Sequence, residues 1–170
     1  DIFDLASLHI RTRVSLRNAR GMALANLDSD SALEIVVNQI GTNRGYEGVV
    51  VDGATLIEEW NNPKGFGNSF SIGDLTGDGQ AEILALYTGT DSVIAFDPRT
   101  QSVLCEKRDS LCYDNLEIFK IPSDSIPYIY VPHSGGIKKH HPMTYDFISF
   151  IEAPNSVSGT NHIVFDDIDF

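Results

Sequence analysis

A repeated unit of 46 to 48 residues is the feature that most constrains how this chain can fold. Similar acidic stretches begin at Asn26 and Asp74, a weaker copy begins at Lys120, and a fourth begins at Asp167. Apolar residues ahead of these stretches form two columns: Met22, Phe70, Leu116 and Ile163, then Leu24, Ile72, Ile118 and Phe165. A repeat of this length with strand-like patterning is typical of propeller blades or of another repeat array.

The second half of each unit carries an Asp followed three residues later by Ser or Thr. These pairs are Asp4 and Ser7, Asp52 and Thr55, Asp97 and Thr100, and Asp146 and Ser149. Such a pair favours a hairpin turn, because the Asp side chain can bond its own backbone two residues on. We therefore predict an all-β fold, in which each unit is a β-propeller blade of four antiparallel strands.

The repeats divide the chain into parts of one β-propeller domain, residues 1–170. The predicted parts are 1–19, the end of a preceding blade; 20–65, repeat 1; 66–112, repeat 2; 113–158, a degenerate repeat 3; and 159–170, the start of repeat 4. Closed propellers commonly have about 4–8 blades. We interpret the chain as about three complete repeats of a larger propeller, and closure of the end pieces into a four-bladed ring is the alternative.

The loop from Asp74 to Glu82 has the pattern of a calcium site. Oxygen-bearing side chains stand at positions 1, 3, 5 and 9, and position 7 offers its carbonyl. Ca²⁺ takes about 6–8 oxygen ligands, and Gly77 and Gly79 allow a tight loop. An EF-hand is disfavoured, because its glutamate at position 12 is replaced by Ala85 here and by Val37 in the first copy.

We predict structural Ca²⁺ in the first two loops, and an acidic turn without metal is the alternative. The predicted ligands are Asn26, Asp28, Asp30, Ala32 and Glu34 in loop 1, and Asp74, Thr76, Asp78, Gln80 and Glu82 in loop 2. Loop 1 fits less well, because Ser29 and Ser31 replace the glycines. The third copy keeps Asp124 at position 5, but Lys120 places an ammonium where the first ligand belongs, so we expect no metal there.

Two motifs of the second repeat resemble the FG-GAP family, also called VCBS-type repeats. They are Phe66-Gly67 and Asp74-Leu-Thr-Gly-Asp-Gly79. The first repeat has Arg20-Gly21 instead of Phe-Gly, and Leu86-Tyr87-Thr88 replaces the family's Gly-Ala-Pro end. The family occurs in integrin α-subunit heads and in many secreted propellers. The resemblance implies blades whose acidic loops bind Ca²⁺, in an extracellular, secreted or cell-surface protein that acts in cell adhesion.

The motifs that would indicate catalysis are absent from the sequence. It contains neither a Gly-x-Ser-x-Gly elbow nor a glycine-rich nucleotide loop. We therefore expect a calcium-stabilised, protein- or glycan-binding module without catalytic residues that presents its ligand surface on loops. The alternatives are the propeller portion of a secreted polysaccharide-active enzyme, or an architectural subunit assembled with other chains.

The formal net charge of −12 disfavours nucleic acid as a partner. No apolar run reaches 18 residues, so we expect no direct membrane insertion. Cys105 and Cys112 flank a short polar loop, where a disulfide would suit an oxidising compartment; two free thiols are the alternative.

Three histidines, His133, His140 and His141, follow the third copy. Lys138 and Lys139 lie between them and oppose a metal site. We expect a solvated loop between strands that could contact a ligand. We also expect Trp60 to pack between blades.

Overall fold

The computed structural model describes residues 2–3, 10–12, 18–28, 30–40, 46–108, 115–121, 124–133 and 135–152. Within these ranges every regular element is a β-strand. None of the described residues forms a helix that is long and apolar enough to span a membrane.

Three four-stranded sheets follow one another along the chain. A short pair, β1 (Ile2–Phe3) and β2 (Ile10–Thr12), precedes them. Blade 1 contains β3 (Ala19–Ala25), β4 (Glu34–Ile40), β5 (Tyr46–Val51) and β6 (Glu58–Asn62). Blade 2 contains β7 (Ser69–Gly73), β8 (Glu82–Tyr87), β9 (Ser92–Asp97) and β10 (Ser102–Arg108). Blade 3 contains β11 (Glu117–Phe119), β12 (Tyr128–His133), β13 (Gly136–His140) and β14 (Phe147–Glu152).

Each sheet is an antiparallel meander whose strands pair in sequence order. The first strands of the blades are neighbours, with β7 in contact with both β3 and β11. The middle strands are largely buried: every side chain from Glu82 to Leu86 on β8 is buried, whereas most of β10 is exposed. This is the blade construction that the repeat predicts, and the predicted fold class is confirmed.

An aromatic cluster joins blades 1 and 2. The Trp60 ring of β6 lies 5.1 Å from that of Phe66 and 5.9 Å from that of Phe96 on β9, edge-on in both cases. Such aromatic pairs contribute about 0.5–1.5 kcal/mol beyond the area they bury. Trp60 thus packs between blades, as its place in the sequence predicts.

The Phe66-Gly67 pair has a clear structural role at this joint. Phe66 is 0% exposed. Gly67 has φ +72°, and a Cβ there would lie 2.2 Å from the Leu86 carbonyl oxygen. The side-chain oxygen of Asn38 on β4 accepts from the Phe66 N–H at 3.1 Å, and its nitrogen donates to the Gly67 carbonyl. The pair therefore connects the second strands of two successive blades.

Blade 3 is joined to blade 2 through polar contacts between their first strands. The Ser71 hydroxyl donates to Glu117 Oε2 at 3.0 Å and accepts from the Ile118 N–H at 3.1 Å. Behind them, Leu84 of β8 and Ile129 of β12 belong to one buried apolar cluster.

The histidine segment is a hairpin, so the prediction of a solvated loop is wrong for residues 136–140. β12 ends at His133, β13 begins at Gly136, and Gly135 has φ +85° between them. His140 is only 4% exposed and stacks on the Tyr145 ring at 4.5 Å. Lys138 and Lys139 made this segment look solvated in the sequence. In the structure both are only partly exposed, and Lys139 pairs with Asp124 of the same blade.

The hairpin turn of blade 3 begins at His141, not at Asp146 as the sequence predicts. The Asp52 carboxylate of blade 1 accepts from the backbone N–H groups of Ala54 and Thr55. In blade 3 the imidazole Nδ1 of His141 accepts from Met143 and Thr144, at 3.3 Å each. The fifth residue of each turn has positive φ, namely Leu56, Gln101 and Tyr145. In blade 3 a histidine stands where the other blades have the turn-forming aspartate. Because the residue type differs, the sequence pattern did not identify this turn.

Some predictions concern residues outside those described. They include Cys112, so the proposed bridge to Cys105 stays a prediction, and the pair Asp4 and Ser7. The fourth copy from Asp167 onward is also outside the described ranges.

Candidate metal centre

Loops 1 and 2 occupy equivalent positions in their blades. Loop 1 connects β3 to β4, and loop 2 connects β7 to β8. Because antiparallel strands reverse direction at each step, the turn between the third and fourth strands lies at the same end of the blade. The turns that begin at Asp52 and Asp97 can therefore reach the acidic loops.

Each loop closes on a buried glutamate at position 9. Glu34 is 0% exposed and Glu82 is 1% exposed. One oxygen of each carboxylate accepts from the N–H at loop position 2, at 2.5 Å from Leu27 and 2.7 Å from Leu75. Burial raises the pKa of both glutamates. The glutamate predicted as a ligand, which is the first residue of the second strand in blades 1 and 2, is thus the anchor of the loop.

Loop 1 gathers three carboxylates into one cluster. One oxygen from each of Asp28, Asp30 and Glu34 lies within 4.8 Å of the other two. The second oxygen of Glu34, Oε1, is buried and has no hydrogen-bond partner among the described residues. The charges of Asp28 and Asp30 add to burial in raising the Glu34 pKa. The cluster therefore has excess negative charge and an unsatisfied buried oxygen.

These observations fit a hard divalent cation. Ca²⁺ prefers carboxylate and carbonyl oxygens in a flexible arrangement, and loop 1 offers three carboxylates with the Ala32 carbonyl nearby in sequence. Asn26 takes another role here, because its side-chain nitrogen donates to the Asp30 carbonyl at 2.6 Å and braces the loop. Among the described residues, no basic side chain forms an ion pair with these acids.

Loop 2 uses its acids differently. Asp74 accepts from the N–H groups of Gly77, Asp78 and Gly79 at 2.7, 3.1 and 2.9 Å. Gly77 and Gly79 have φ +80° and +85°, which is the conformation expected of glycine in this loop. The Asp74 carboxylate thus stabilises the loop backbone directly.

Asp78 of loop 2 is paired with Arg99, a residue that sequence reasoning missed. Arg99 Nη2 lies 3.1 Å from Asp78 Oδ2, and the Gln80 N–H donates to the other oxygen at 2.9 Å. The Gln80 N–H and then Arg99 hold the pKa of Asp78 below its usual value. The signal was the turn Asp97-Pro-Arg-Thr, which lies at the same end of the blade.

The structure therefore distinguishes the two loops in a way that the sequence motif does not, and calcium binding at either loop stays a prediction. Loop 1 lacks the glycines, yet its carboxylates converge and one buried oxygen has no partner. Asp28 and Asp30 of loop 1 each accept one backbone N–H, at 2.7 and 2.6 Å. Loop 2 has the better motif, yet Asp74 accepts three N–H groups and Asp78 also has a basic partner. Both loops keep the predicted residue types, and they differ in the charge that surrounds them.

Glu59 adds to the negative field around loop 1, and nothing in the sequence indicated this. Burial raises the Glu59 pKa, as do the charges of Asp52, Asp28 and others nearby. A cleft of about 480 Å³ between blades 1 and 2 is lined by Asp28, Glu59, Trp60 and Arg99, among others.

The third loop has an internal cation, which comes from an unexpected residue. Lys139 Nζ of β13 lies 3.0 Å from Asp124 Oδ2 and 3.7 Å from the Tyr128 ring centroid. Lys120, at loop position 1, is exposed instead. The position-5 aspartate of this loop is thus neutralised from a neighbouring strand.

A second cleft, of about 390 Å³, lies between β10 of blade 2 and the last hairpin of blade 3. Lys107, Arg108 and Lys138 line it together with one acid, Asp146, and the ring of Phe147, which is 57% exposed. Three basic side chains against one acid give this cleft a positive charge in a chain of net charge −12. This cleft can attract an anionic group.

Comparison with known protein families and with curated proteins finds no match for the sequence. Among solved structures, the WD40 domain of Pan2 from Neurospora crassa is similar to the chain, with 13% sequence identity and a TM-score of 0.46. The similarity covers 81% of this chain and 50% of that one, so the chain spans half the length of its structural relative. The sheets themselves establish an all-β protein built from four-stranded β-propeller blades.

Proposed function

We propose that the chain is an extracellular, FG-GAP-type propeller module, stabilised by Ca²⁺ in its acidic loops, that binds a protein or glycan ligand. The observation that carries the calcium part is the buried Glu34 side chain, which clusters with Asp28 and Asp30 and whose Oε1 has no partner among the described residues. A divalent cation bound there would give this oxygen a partner and balance three negative charges.

The energetics support a structural role for this ion. A buried polar group without a partner costs about 1–3 kcal/mol, and a charged group costs more. An ion that binds only the folded state stabilises it by about 2.7 kcal/mol at a concentration one hundred times its dissociation constant. Bound in loop 1, Ca²⁺ would hold the turn between β3 and β4 against the start of β4, a largely buried strand.

Calcium dependence is tested by thermal unfolding with calcium and with chelator. We expect Ca²⁺ to raise the melting temperature of the wild type. Glu34→Gln removes the buried charge and keeps the shape of the side chain. This variant should therefore lose most of the rise in melting temperature that Ca²⁺ causes. Glu58→Gln, an exposed glutamate of the same blade, is the matched control and should respond like the wild type. A wild type whose melting temperature is equal in calcium and chelator would contradict the proposal.

The surface that supports ligand binding best is the basic cleft lined by Lys107, Arg108 and Lys138. An exposed aromatic ring beside several cations suits an acidic sugar, because the ring can stack on the apolar sugar face while the cations pair with sulfate or carboxylate. The acidic remainder of the molecule would repel the same ligand. This combination supports a glycan bearing anionic groups as the ligand.

Ligand binding is tested with immobilised sulfated oligosaccharide. We expect the double variant Lys107→Glu and Arg108→Glu to lose binding, with the wild-type signal falling as salt is raised. A control carrying Lys64→Glu and Lys120→Glu makes the same change of charge at exposed sites elsewhere and should still bind. Equal loss in both double variants would show that net charge, not this cleft, governs binding.

A further inference from the structure

We infer that the side chain at the third position of the turn between the third and fourth strands sets the calcium affinity of the acidic loop in the same blade. In blade 2 that residue is Arg99, whose guanidinium is an internal competitor of Ca²⁺ at loop 2. In blade 1 it is Ala54, which leaves loop 1 open to the ion. The inference rests on the proposed calcium function and identifies what regulates it.

Arg99 is held in place by its own turn. Its backbone N–H donates to Asp97 Oδ1 at 2.9 Å, and its side-chain Nε lies 3.3 Å from the same oxygen. From there Nη2 reaches Asp78 at 3.1 Å. Asp78 is position 5 of loop 2, the centre of the predicted ligand set. The guanidinium thus bridges the turn and the loop at the place where a cation is expected.

The corresponding turn of blade 1 has the same backbone arrangement without the charge. The Ala54 N–H donates to Asp52 Oδ1 at 2.8 Å, as the Arg99 N–H does to Asp97. A methyl group cannot pair with an acid, so this turn supplies no cation to loop 1. One oxygen from each of the three carboxylates of loop 1 converges within 4.8 Å, and Glu34 has one oxygen without a partner among the described residues.

In blade 3 the position-5 aspartate of the loop also has a basic partner, but that partner does not come from the turn. Its turn has Met143 at the third position, and the cation comes instead from Lys139, 3.0 Å from Asp124. Asp124 is position 5 of its loop, as Asp78 is of loop 2. Loop 3 has Asp124 as the single acid at its ligand positions, so it does not test the effect of a basic partner on a carboxylate cluster. Loops 1 and 2 have three acids each and give the direct comparison: Asp78 has a basic partner, and Asp30 has none among the described residues.

The physical reason is direct competition between charges. A guanidinium at 3.1 Å from a carboxylate both occupies an oxygen and repels an incoming divalent ion. The pair is exposed, so a calcium ion can displace it, and its effect is on affinity and is reduced by salt. We expect removal of the guanidinium to tighten Ca²⁺ binding at loop 2 roughly tenfold, which corresponds to about 1.4 kcal/mol.

The experiment measures calcium binding by isothermal titration of the full chain, with Ca²⁺ alone as the probe. The background is Glu34→Gln, which removes the proposed calcium site of loop 1. In this background, Arg99→Ala should bind Ca²⁺ about tenfold more tightly than the background protein. Arg99→Lys keeps the positive charge and should bind as weakly as the background. Equal affinity in the background and in Arg99→Ala would overturn the inference, and so would tight binding by Arg99→Lys.

The reciprocal change tests the turn position in blade 1. Ala54→Arg, made in the otherwise unchanged protein, should weaken binding at loop 1, while Ala54→Gln, of similar length without charge, should not. An Ala54→Arg variant with wild-type affinity would overturn the inference. Failure of the proposed function is distinguishable: loop 1 of the wild type would then bind no Ca²⁺, whereas in the Glu34→Gln background Arg99→Ala would still tighten binding at loop 2 if the inference holds.

Discussion

Glu34 and Glu82 show how two equivalent residues can differ in their surroundings. Glu82 accepts from the N–H groups of Leu75 and Thr76, and its other oxygen lies 3.4 Å from the Thr76 hydroxyl. Glu34 accepts one N–H, from Leu27, and its other oxygen has no partner among the described residues. In loop 2 both oxygens of the position-9 glutamate thus have hydrogen-bond partners within the loop. In loop 1 one oxygen of this glutamate needs a partner from outside the described residues.

At the same scale, Gly67 is a position where only glycine fits. Gly67→Ala forces a Cβ against the Leu86 carbonyl and an unfavourable φ, so we expect a loss of about 2 kcal/mol or more in the free energy of unfolding. Denaturant unfolding measures it. Gly89→Ala is the control, because a Cβ there meets nothing within 4 Å, and it should change stability little. Similar losses in both variants would show that contact with Leu86 is not the cause.

At the scale of elements, the turn between the third and fourth strands is the most regular feature of the blades. One acceptor side chain at its first position bonds two backbone N–H groups, whether it is the carboxylate of Asp52 or the imidazole of His141. The backbone hydrogen bond that closes the turn also repeats. The Leu56 N–H donates to the Asp52 carbonyl at 2.8 Å, and the Tyr145 N–H donates to the His141 carbonyl at 2.9 Å. The element tolerates a change of residue because it needs only an acceptor.

This regularity leads to a prediction for the blade 3 turn. His141→Ala removes the acceptor and should lower the free energy of unfolding by about 1 kcal/mol. His141→Asp restores the residue used in the other blades and should recover most of that loss, as measured by denaturant unfolding at neutral pH. If the aspartate variant were as unstable as the alanine variant, the turns would not be equivalent.

At the scale of the whole molecule, the segment between blades 1 and 2 is fastened to both of them. Asn38 of blade 1 holds Phe66 and Gly67, and the Tyr87 hydroxyl of blade 2 donates to the Gly65 carbonyl at 2.7 Å. The aromatic cluster around Trp60 lies beneath the segment. We therefore expect these two blades to unfold together.

Tyr87 makes this joint sensitive to alkaline pH. Burial raises the pKa of Tyr87 to about 12 from an ordinary value of 10. The folded state therefore keeps the phenol neutral where the unfolded chain ionises, so this contribution to stability is complete below pH 10 and is lost between pH 10 and 12. Stability measured across this range should fall less steeply in Tyr87→Phe than in the wild type. Parallel curves would show that Tyr87 does not cause the loss.

The sequence by itself determined the blade architecture and the chemistry of the loops. Strand alternation and turn chemistry are local properties, so a repeat of 46 to 48 residues was enough to predict four strands per unit and to place Asp28, Asp30 and Glu34 in one loop. The Phe66-Gly67 pair was also visible as a motif, but its partner Asn38 on β4 became apparent only in the structure.

Only the tertiary structure decided which acids of the loops pair with a basic side chain. Arg99 meets Asp78 across 21 residues and Lys139 meets Asp124 across 15, through strand reversals whose geometry is not encoded in any single motif. The same holds for His140, which is buried because Tyr145 folds over it. The free energy of a buried charge depends on what surrounds it in space, and this is why the loop with the weaker motif is the one whose three carboxylates converge and whose Glu34 has an unpartnered oxygen among the described residues.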